Sequence, residues 1–487
     1  MSGMVSKNIG KDAAYLSVAK IVIMGVSLLS NMLLSRFRTL EEYGTYSQIN
    51  IIINLFTAFL MLGLPSSVNY FLSLAETGKE RNIFLSVYYT LTISICFVIG
   101  LLIIAFLPLL ESYFGNSQLK DFAYFFAIYP FVNVLISGIG NVYIVYDKSK
   151  YLAIVNFITA LVALVSVLIA EYLGLSFNDY MFLFLIGKIL ISLVLIYSIN
   201  QLDGRLRLYI NKELIIKIFK YSIPIGFATL VGTINLEIDK LMIGNLLDTE
   251  SLAIYANAGK ELPLVFIAAS LTSVLLPSLV RMLNNGYNKD AISLWGKTVT
   301  LSYIFMCFFC TACIVFAPQI VVFLYSDKYL PGVPVFIVYS LVLLLRVTYF
   351  GIVLSALGRT KLIMWSSIVA LCINIVLNLL LYNLFSFIGP ALASLISILV
   401  VNLAQLIWTA KIVNISFFSI FPWKDLWHIS LVNILWGIIA YLLLKIFSIN
   451  YSIRDIIVAC VIGCVFLLLY SICVYKKIAT LWKELNC

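Results

Sequence analysis

From one end of the chain to the other, apolar runs alternate with short polar breaks. Each run is about 20 residues or longer, the length a helix needs to cross a hydrocarbon layer of roughly 30 Å at 1.5 Å per residue. The runs lie near 13–35, 45–74, 83–109, 122–145, 151–173, 179–199, 221–247, 252–280, 298–324, 333–357, 362–385, 387–410, 427–448 and 453–475. This pattern predicts an all-α, polytopic integral membrane protein of about 14 transmembrane helices. The first run lacks a short apolar core followed by a small-residue cleavage pattern, and Lys20 stands in its middle. It reads as a retained helix and not as a signal peptide.

Composition agrees with the pattern. Hydrophobic residues make up 63% of the 487 and charged ones 11%, against roughly 25% charged in a soluble domain, so a soluble fold is excluded. The net charge of +10 would suggest nucleic acid for a soluble basic protein, but here the placement of the cations decides. An even number of spans puts both termini on one side. With that side cytoplasmic, 21 Lys and Arg fall in inner loops and termini, six in outer loops or at the outer ends of spans and five deep inside spans, which accounts for all 32. The positive-inside rule then predicts cytoplasmic N and C termini, and no nucleic-acid partner is expected. All of the nine cysteines except Cys487 lie in apolar runs. They read as small packing residues, and without a His or Cys cluster at ligand spacing no disulfide, metal or cofactor is predicted.

The chain repeats itself at an offset of about 210 residues. Thr39-Leu40-Glu41-Glu42-Tyr43-Gly44-Thr45-Tyr46 matches Asp248-Thr249-Glu250-Ser251-Leu252-Ala253-Ile254-Tyr255, and Leu64-Pro65-Ser66 matches Leu276-Pro277-Ser278. Pro108 matches Pro318, and Asp147-Lys148-Ser149-Lys150 matches Gly358-Arg359-Thr360-Lys361. Four matches in order predict that spans 1 to 6 recur as spans 7 to 12. Six is even, so the repeat is parallel, as in transporters built from two lobes around a central cavity. The expected organisation is an N-terminal lobe over 1–200, a basic cytoplasmic linker over 201–220, a C-terminal lobe over 221–411, and two extra helices with a tail over 412–487.

Three stretches in the seventh and eighth spans carry a resemblance: Tyr221-Ser222-Ile223-Pro224-Ile225, then Ile238-Asp239-Lys240-Leu241-Met242-Ile243-Gly244, then Ala253-Ile254-Tyr255-Ala256-Asn257-Ala258. With the 6+6+2 plan, the chain resembles the polysaccharide-transport branch of the multidrug/oligosaccharidyl-lipid/polysaccharide exporter superfamily. The resemblance implies a flippase in a bacterial cytoplasmic membrane that moves an undecaprenyl-pyrophosphate-linked oligosaccharide outward for O-antigen, capsule or exopolysaccharide. It also implies a lipid-tail groove along the two extra helices, membrane lipids as partners and a glycan polymerase as a further candidate partner.

Charges within spans are the other guide to function, since each costs roughly 2.5–3.5 kcal/mol at a helix centre on insertion scales and is expected to face protein or a wet cavity. Five cations, Lys20, Lys188, Lys240, Lys260 and Arg346, are joined by three acids, Glu237, Asp239 and Glu261. Counting along helices puts Asp239, Lys240, Lys260 and Glu261 roughly 10–12 Å below the outer surface, Lys188 roughly 13 Å below it, and Lys20 and Arg346 about 10–12 Å above the inner one. Lys20, Arg346, Lys240 and Lys260 are the candidate substrate-binding residues, because arginine's fork and lysine's point charge both suit a pyrophosphate. Asp239, Glu261 and Glu237 are candidates for ion coupling or gating. Glu237 can pair with Lys240 three residues on, and Asp239 with Lys260 across the hairpin. The competing reading is that these charges only pair, snorkel or fix packing, and for Lys188 it is the preferred one. Pro65 and Pro224 are candidate hinges. Asn31, Asn54, Asn69, Asn235, Asn374, Asn378, Asn402 and Gln405 could recognise sugar hydroxyls or simply join helices.

Two other functions stay open. A cation-coupled multidrug or metabolite antiporter of the same superfamily should line its cavity with acids, whereas here the cations outnumber the acids. A membrane-bound glycan-polymerising enzyme would need paired carboxylates, an activated nucleophile or a metal cluster, and no catalytic residue is assigned.

Overall fold

The computed structural model describes residues 6–260, 263–447 and 453–486, with side chains of 6–18 and of a few further positions excepted. Helices follow one another in chain order: α1 Ser6–Phe37, α2 Leu40–Met61, α3 Leu64–Leu74, α4 Gly78–Phe114, α5 Ala123–Val145, α6 Ser149–Tyr172, α7 Phe177–Asn200, α8 Lys212–Leu246 and α9 Thr249–Ala258. They continue as α10 Phe266–Asn284, α11 Asn288–Val315, α12 Ala317–Tyr325, α13 Val333–Leu345, α14 Ile352–Ala356, α15 Thr360–Phe385, α16 Gly389–Val413, α17 Phe417–Ile420, α18 Trp423–Phe447 and α19 Ile453–Asn486. The described residues contain no strand. Twelve segments are long and apolar enough to cross a membrane, or thirteen with the bent pair α2–α3 taken as one span. Fourteen were expected, and one segment, Thr360–Val413, contains two helices, α15 and α16.

The sequence sets many helix starts through side chains that satisfy the open first-turn N–H groups. Thr39 accepts from the Glu42 amide while the Glu42 carboxylate accepts from the Thr39 amide, a reciprocal capping box. Thr77, Ser176 and Asn211 cap α4, α7 and α8 in the same one-sided way. Asp248 accepts from the Ser251 amide at 2.6 Å, so the matched strings at 39 and 248 are both caps. A second matched pair also shares conformation: Asp147 and Gly358, at the same place in the two copies, have φ of 53° and 67°. The proline matches do not, since Pro65 and Pro318 start helices whereas Pro277 and Pro108 lie inside them.

The chain divides into two compact units, 1–253 and 254–487. In the first, α1 lies along α6, α5 packs against α3, α4 and α7, and α8 packs against α2, α3 and α4. By the repeat α8 is the first helix of the second copy, yet its contacts hold it in the first unit. The reason is local. The break between α2 and α3, a bend of 46°, places Leu62 and Gly63 at φ 41° and 71°, against the backbone of α8. A Cβ on Gly226 would lie 2.0 Å from the Leu62 carbonyl carbon, and one on Gly63 would lie 2.6 Å from the Gly226 nitrogen. Only two glycines allow the backbones to meet so closely. The Asn141 amide donates to the Pro65 carbonyl in the first turn of α3 at 2.9 Å, which ties α5 to the break.

In the second unit α18 and α19, which lie outside the repeat, dock on α11. The Asn433 amide donates to the Cys307 carbonyl at 2.7 Å, the Tyr470 hydroxyl to the Ile304 carbonyl at 2.9 Å, and Phe308 packs on Phe466 and Tyr470. Buried amides and hydroxyls that find backbone acceptors fix which faces meet, a choice that apolar contact in lipid leaves open.

Candidate functional site

Intramembrane charges gather at three places. The first is on α8, where Glu237 and Lys240 project from one face and pair at 2.8 Å. The other Glu237 oxygen accepts from the Asn54 amide of α2 at 3.2 Å. Glu237 is 7% exposed and Asp239, on the same helix, 2%. A carboxylate so far from water is stable only with such partners, so the expected Glu237–Lys240 pair forms and takes Asn54 as its third member. The Asn235 Oδ1, two residues before Glu237, is buried without a hydrogen-bond partner.

The second place is a groove of about 610 Å³ lined by α1, α6 and α7 in the first unit. Lys20 and Lys188 both reach it. Counting along the helices had set these two in different tiers, but the packing of α1 along α6 brings them to one opening.

The third is a narrow pocket of about 10 Å³ in the second unit, lined by Lys260 and Arg346 with Phe336, Tyr339 and Ser340. Here too a residue of the inner tier shares an opening with one of the outer tier. The span that carries Arg346 was expected to run unbroken over 333–357. It breaks instead: α13 ends at Leu345, Arg346 takes φ −107° and ψ 16°, and helix resumes at Ile352. A break inside a span opens backbone groups that lipid cannot satisfy. The Asn402 amide donates to the Leu345 carbonyl at 2.9 Å, and Thr348 accepts from the Trp295 indole at 3.1 Å. Broken helices held by side chains, with a charged residue at the break, are how transporters build ion and substrate sites within the membrane. Glu261 lies outside the described residues.

Residues 33–334, more than half of the chain, match the family described as polysaccharide biosynthesis protein. The chain belongs to this family. Two relatives are similar over most of the chain. An uncharacterized membrane protein of Methanocaldococcus jannaschii is 25% identical over 408 residues, covering 80% of this chain and 94% of the relative. The capsular polysaccharide biosynthesis protein CapF of Staphylococcus aureus is 22% identical over 401 residues, covering 80% and 96%. Among solved structures, the lipid II flippase MurJ in an inward closed conformation superposes with a TM-score of 0.76 at 20% identity, covering 96% of this chain and all of that one. An inward-facing multidrug resistance MATE family transporter of the MOP superfamily gives 0.67 at 12%, covering 80% and 94%. The two structures establish the fold, and the family match makes the chain a polysaccharide biosynthesis protein built on it.

Within this polysaccharide-family protein the asparagines divide. Asn374 and Gln405 are buried and link α15 with α16, and Asn402 serves the helix break, so these three join helices, while Asn378 donates to Asn374 within α15. Asn31 donates to the Ser27 carbonyl of its own helix, and the exposed Asn69 donates to Asn141 at 3.1 Å. Pro65 sits in the first turn of α3, just past the bend, whereas α8 runs straight through Pro224. Sequence reasoning missed the break after Leu345 and its clasp. The string Arg346-Val347-Thr348-Tyr349-Phe350-Gly351, with β-branched, aromatic and glycine residues crowded behind a charge, was the available signal.

Proposed function

We propose that the protein is a flippase-type transporter that moves an undecaprenyl-pyrophosphate-linked oligosaccharide from the inner to the outer leaflet of a bacterial cytoplasmic membrane, for O-antigen, capsule or exopolysaccharide. The observation that carries this reading is that cations line the openings of both units, Lys20 with Lys188 and Lys260 with Arg346, in a member of a polysaccharide biosynthesis family. A pyrophosphate headgroup has about two negative charges, so a potential of 100 mV, negative inside, favours its exit by roughly 4–5 kcal/mol. In this scheme Lys20 and Arg346 capture the headgroup, and Lys240 or Lys260 receives it. Glu237, Asp239 and Glu261 hold the receiving lysines until then or take up a coupling proton. Bending is placed where the α2–α3 break meets α8, with Pro65 and Pro224 as hinges. Both termini and the 201–220 linker are cytoplasmic, so cysteine labelling from outside should reach Ser117 and spare Asn211.

The MATE likeness favours a second reading, a cation-coupled multidrug or metabolite antiporter. Proteoliposomes with an imposed potential separate the two. Flipping of a labelled polyprenyl-pyrophosphate oligosaccharide, accelerated by the potential, is expected. Movement of an organic cation with no flipping of the lipid would establish the antiporter. Within the scheme, Asp239→Asn should leave binding in place and slow turnover, or shift its pH dependence. Equal loss of binding in the Asp239 and Arg346 variants would remove the hand-over.

A further inference from the structure

Lys188 is buried on α7 at 8% exposure. Its ammonium has three protons to donate, and among the described residues it reaches one acceptor, the Thr159 carbonyl of α6 at 3.4 Å, and the face of Phe184 at 5.1 Å. Neither is an anion. A buried ammonium so held is expensive to keep in a span, and packing alone would be served better by leucine or methionine. The same ammonium lines the groove of about 610 Å³, a size typical of sites for small ligands. Lys20, exposed, enters the groove from α1, while Ile23, Met24, Leu152 and Ala160 give it apolar walls. Two ammonium groups in an apolar trough complement an amphiphile whose head bears two negative charges.

We propose that Lys20 and Lys188 together hold the diphosphate head of the polyprenyl lipid in the α1–α6–α7 groove, with the first part of its chain along the apolar wall. This deepens the exporter reading and rests on it. It gives Lys188, which sequence reasoning treated as a packing residue, a substrate-binding role within the first unit. A phospholipid head with one charge fits the pair less well, so the groove should discriminate by headgroup charge.

The test uses the full-length protein in lipid nanodiscs and measures binding of a polyprenyl diphosphate, the matching monophosphate and phosphatidylglycerol to wild type, Lys20→Gln, Lys188→Met and the double variant. Lys188→Met removes a buried charge from a span, so folding should be retained, and thermal melting checks this. Diphosphate binding should weaken roughly tenfold or more in each single variant, the usual loss for one charge-assisted contact, and monophosphate binding by less. The double variant should lose less than the product of the two, because both side chains hold one ligand. Ala160→Leu, which fills the groove without changing its charge, should weaken diphosphate binding as well. Diphosphate binding within twofold of wild type in Lys188→Met overturns the proposal, as does an equal loss for all three lipids, which would make the groove a seat for bulk phospholipid. Flipping by wild type is measured in parallel. A protein that binds the diphosphate in this charge-dependent way yet never moves it overturns the exporter reading and leaves the groove assignment standing.

Discussion

Helix α5 runs unbroken from Ala123 to Val145, whereas its counterpart in the repeat stops at Leu345 and resumes at Ile352. The two begin alike, each after a six-residue 3-10 turn, Ser117–Phe122 and Asp327–Gly332. They also end alike, two residues before Asp147 and Gly358 with their positive φ. The same contrast recurs one helix earlier, where α4 is a single helix of 37 residues and its counterpart is split into α11 and α12, of 28 and 9. The first unit has its break between α2 and α3, and there the second copy is interrupted as well, α9 ending at Ala258 and α10 starting at Phe266. Duplication thus keeps several helix ends in place and leaves helix interiors free to diverge, and the α2–α3 and α13–α14 breaks are held by different physics. In the first unit two glycine backbones touch, and Asn141 covers one carbonyl. In the second, Asn402 and Trp295 reach across to an opened segment that carries a cation. The first suits a mechanical bend and the second a binding element.

The sharpest test of that contrast is Gly226→Ala. The added Cβ falls 2.0 Å from backbone of the α2–α3 break, so the helices must part. We expect a loss of about 1–3 kcal/mol of stability, the range for overpacking, seen as a lower melting temperature in detergent, with transport abolished. A variant as stable and active as wild type would mean that the close approach has no role. Asn402→Leu comes next. It strands the Leu345 carbonyl, for which roughly 1–3 kcal/mol is usual, and hydrogen exchange should rise across 346–351 while 123–145 stays protected. Equal change in both segments would erase the distinction between the two breaks.

Arg346→Ala should keep the fold and weaken headgroup binding by roughly tenfold, as should Lys20→Ala. Arg346→Lys should recover part of the loss, since the charge returns without the fork. Normal surface-glycan production by both alanine variants, at normal expression, would remove the two residues from the site. The smallest effect compares the repeats directly. Thr39→Ala and Asp248→Ala each delete an N-cap and should each lower stability by about 1 kcal/mol, and the two losses should be similar in thermal melts if the matched strings do the same job.

Much of this architecture is legible in the residues. The apolar runs gave the membrane class, and two of the matched strings, those at 39 and 248 and those at 147 and 358, mark a cap and a turn that the structure shows to be alike. The Glu237–Lys240 pair could be read from a spacing of three on one helix face. The resemblance carried by the stretches around Asp239 and Tyr255 agrees with the family match. What escaped was everything that depends on partners distant in sequence. That Asn54 joins the Glu237–Lys240 pair, that Lys188 shares a groove with Lys20, and that Lys260 and Arg346 line one pocket all follow from which helices lie side by side, and depth counted along each helix could not say which neighbours they have. The break after Leu345 was hidden for the same reason, because hydropathy sees an apolar segment whether or not its backbone is helical.

Local and summed properties were therefore settled by the sequence itself: long apolar runs must be helices in lipid, since only a helix satisfies its own backbone there, and capping residues stop and start those helices wherever they fold. The tertiary structure alone decided where a helix could afford to open and which charges would meet. An opened carbonyl such as that of Leu345 survives only if a side chain such as Asn402 arrives from another helix, and a buried ammonium such as Lys188 finds its surroundings only when α1 closes on α6 and α7, more than a hundred residues further along the chain.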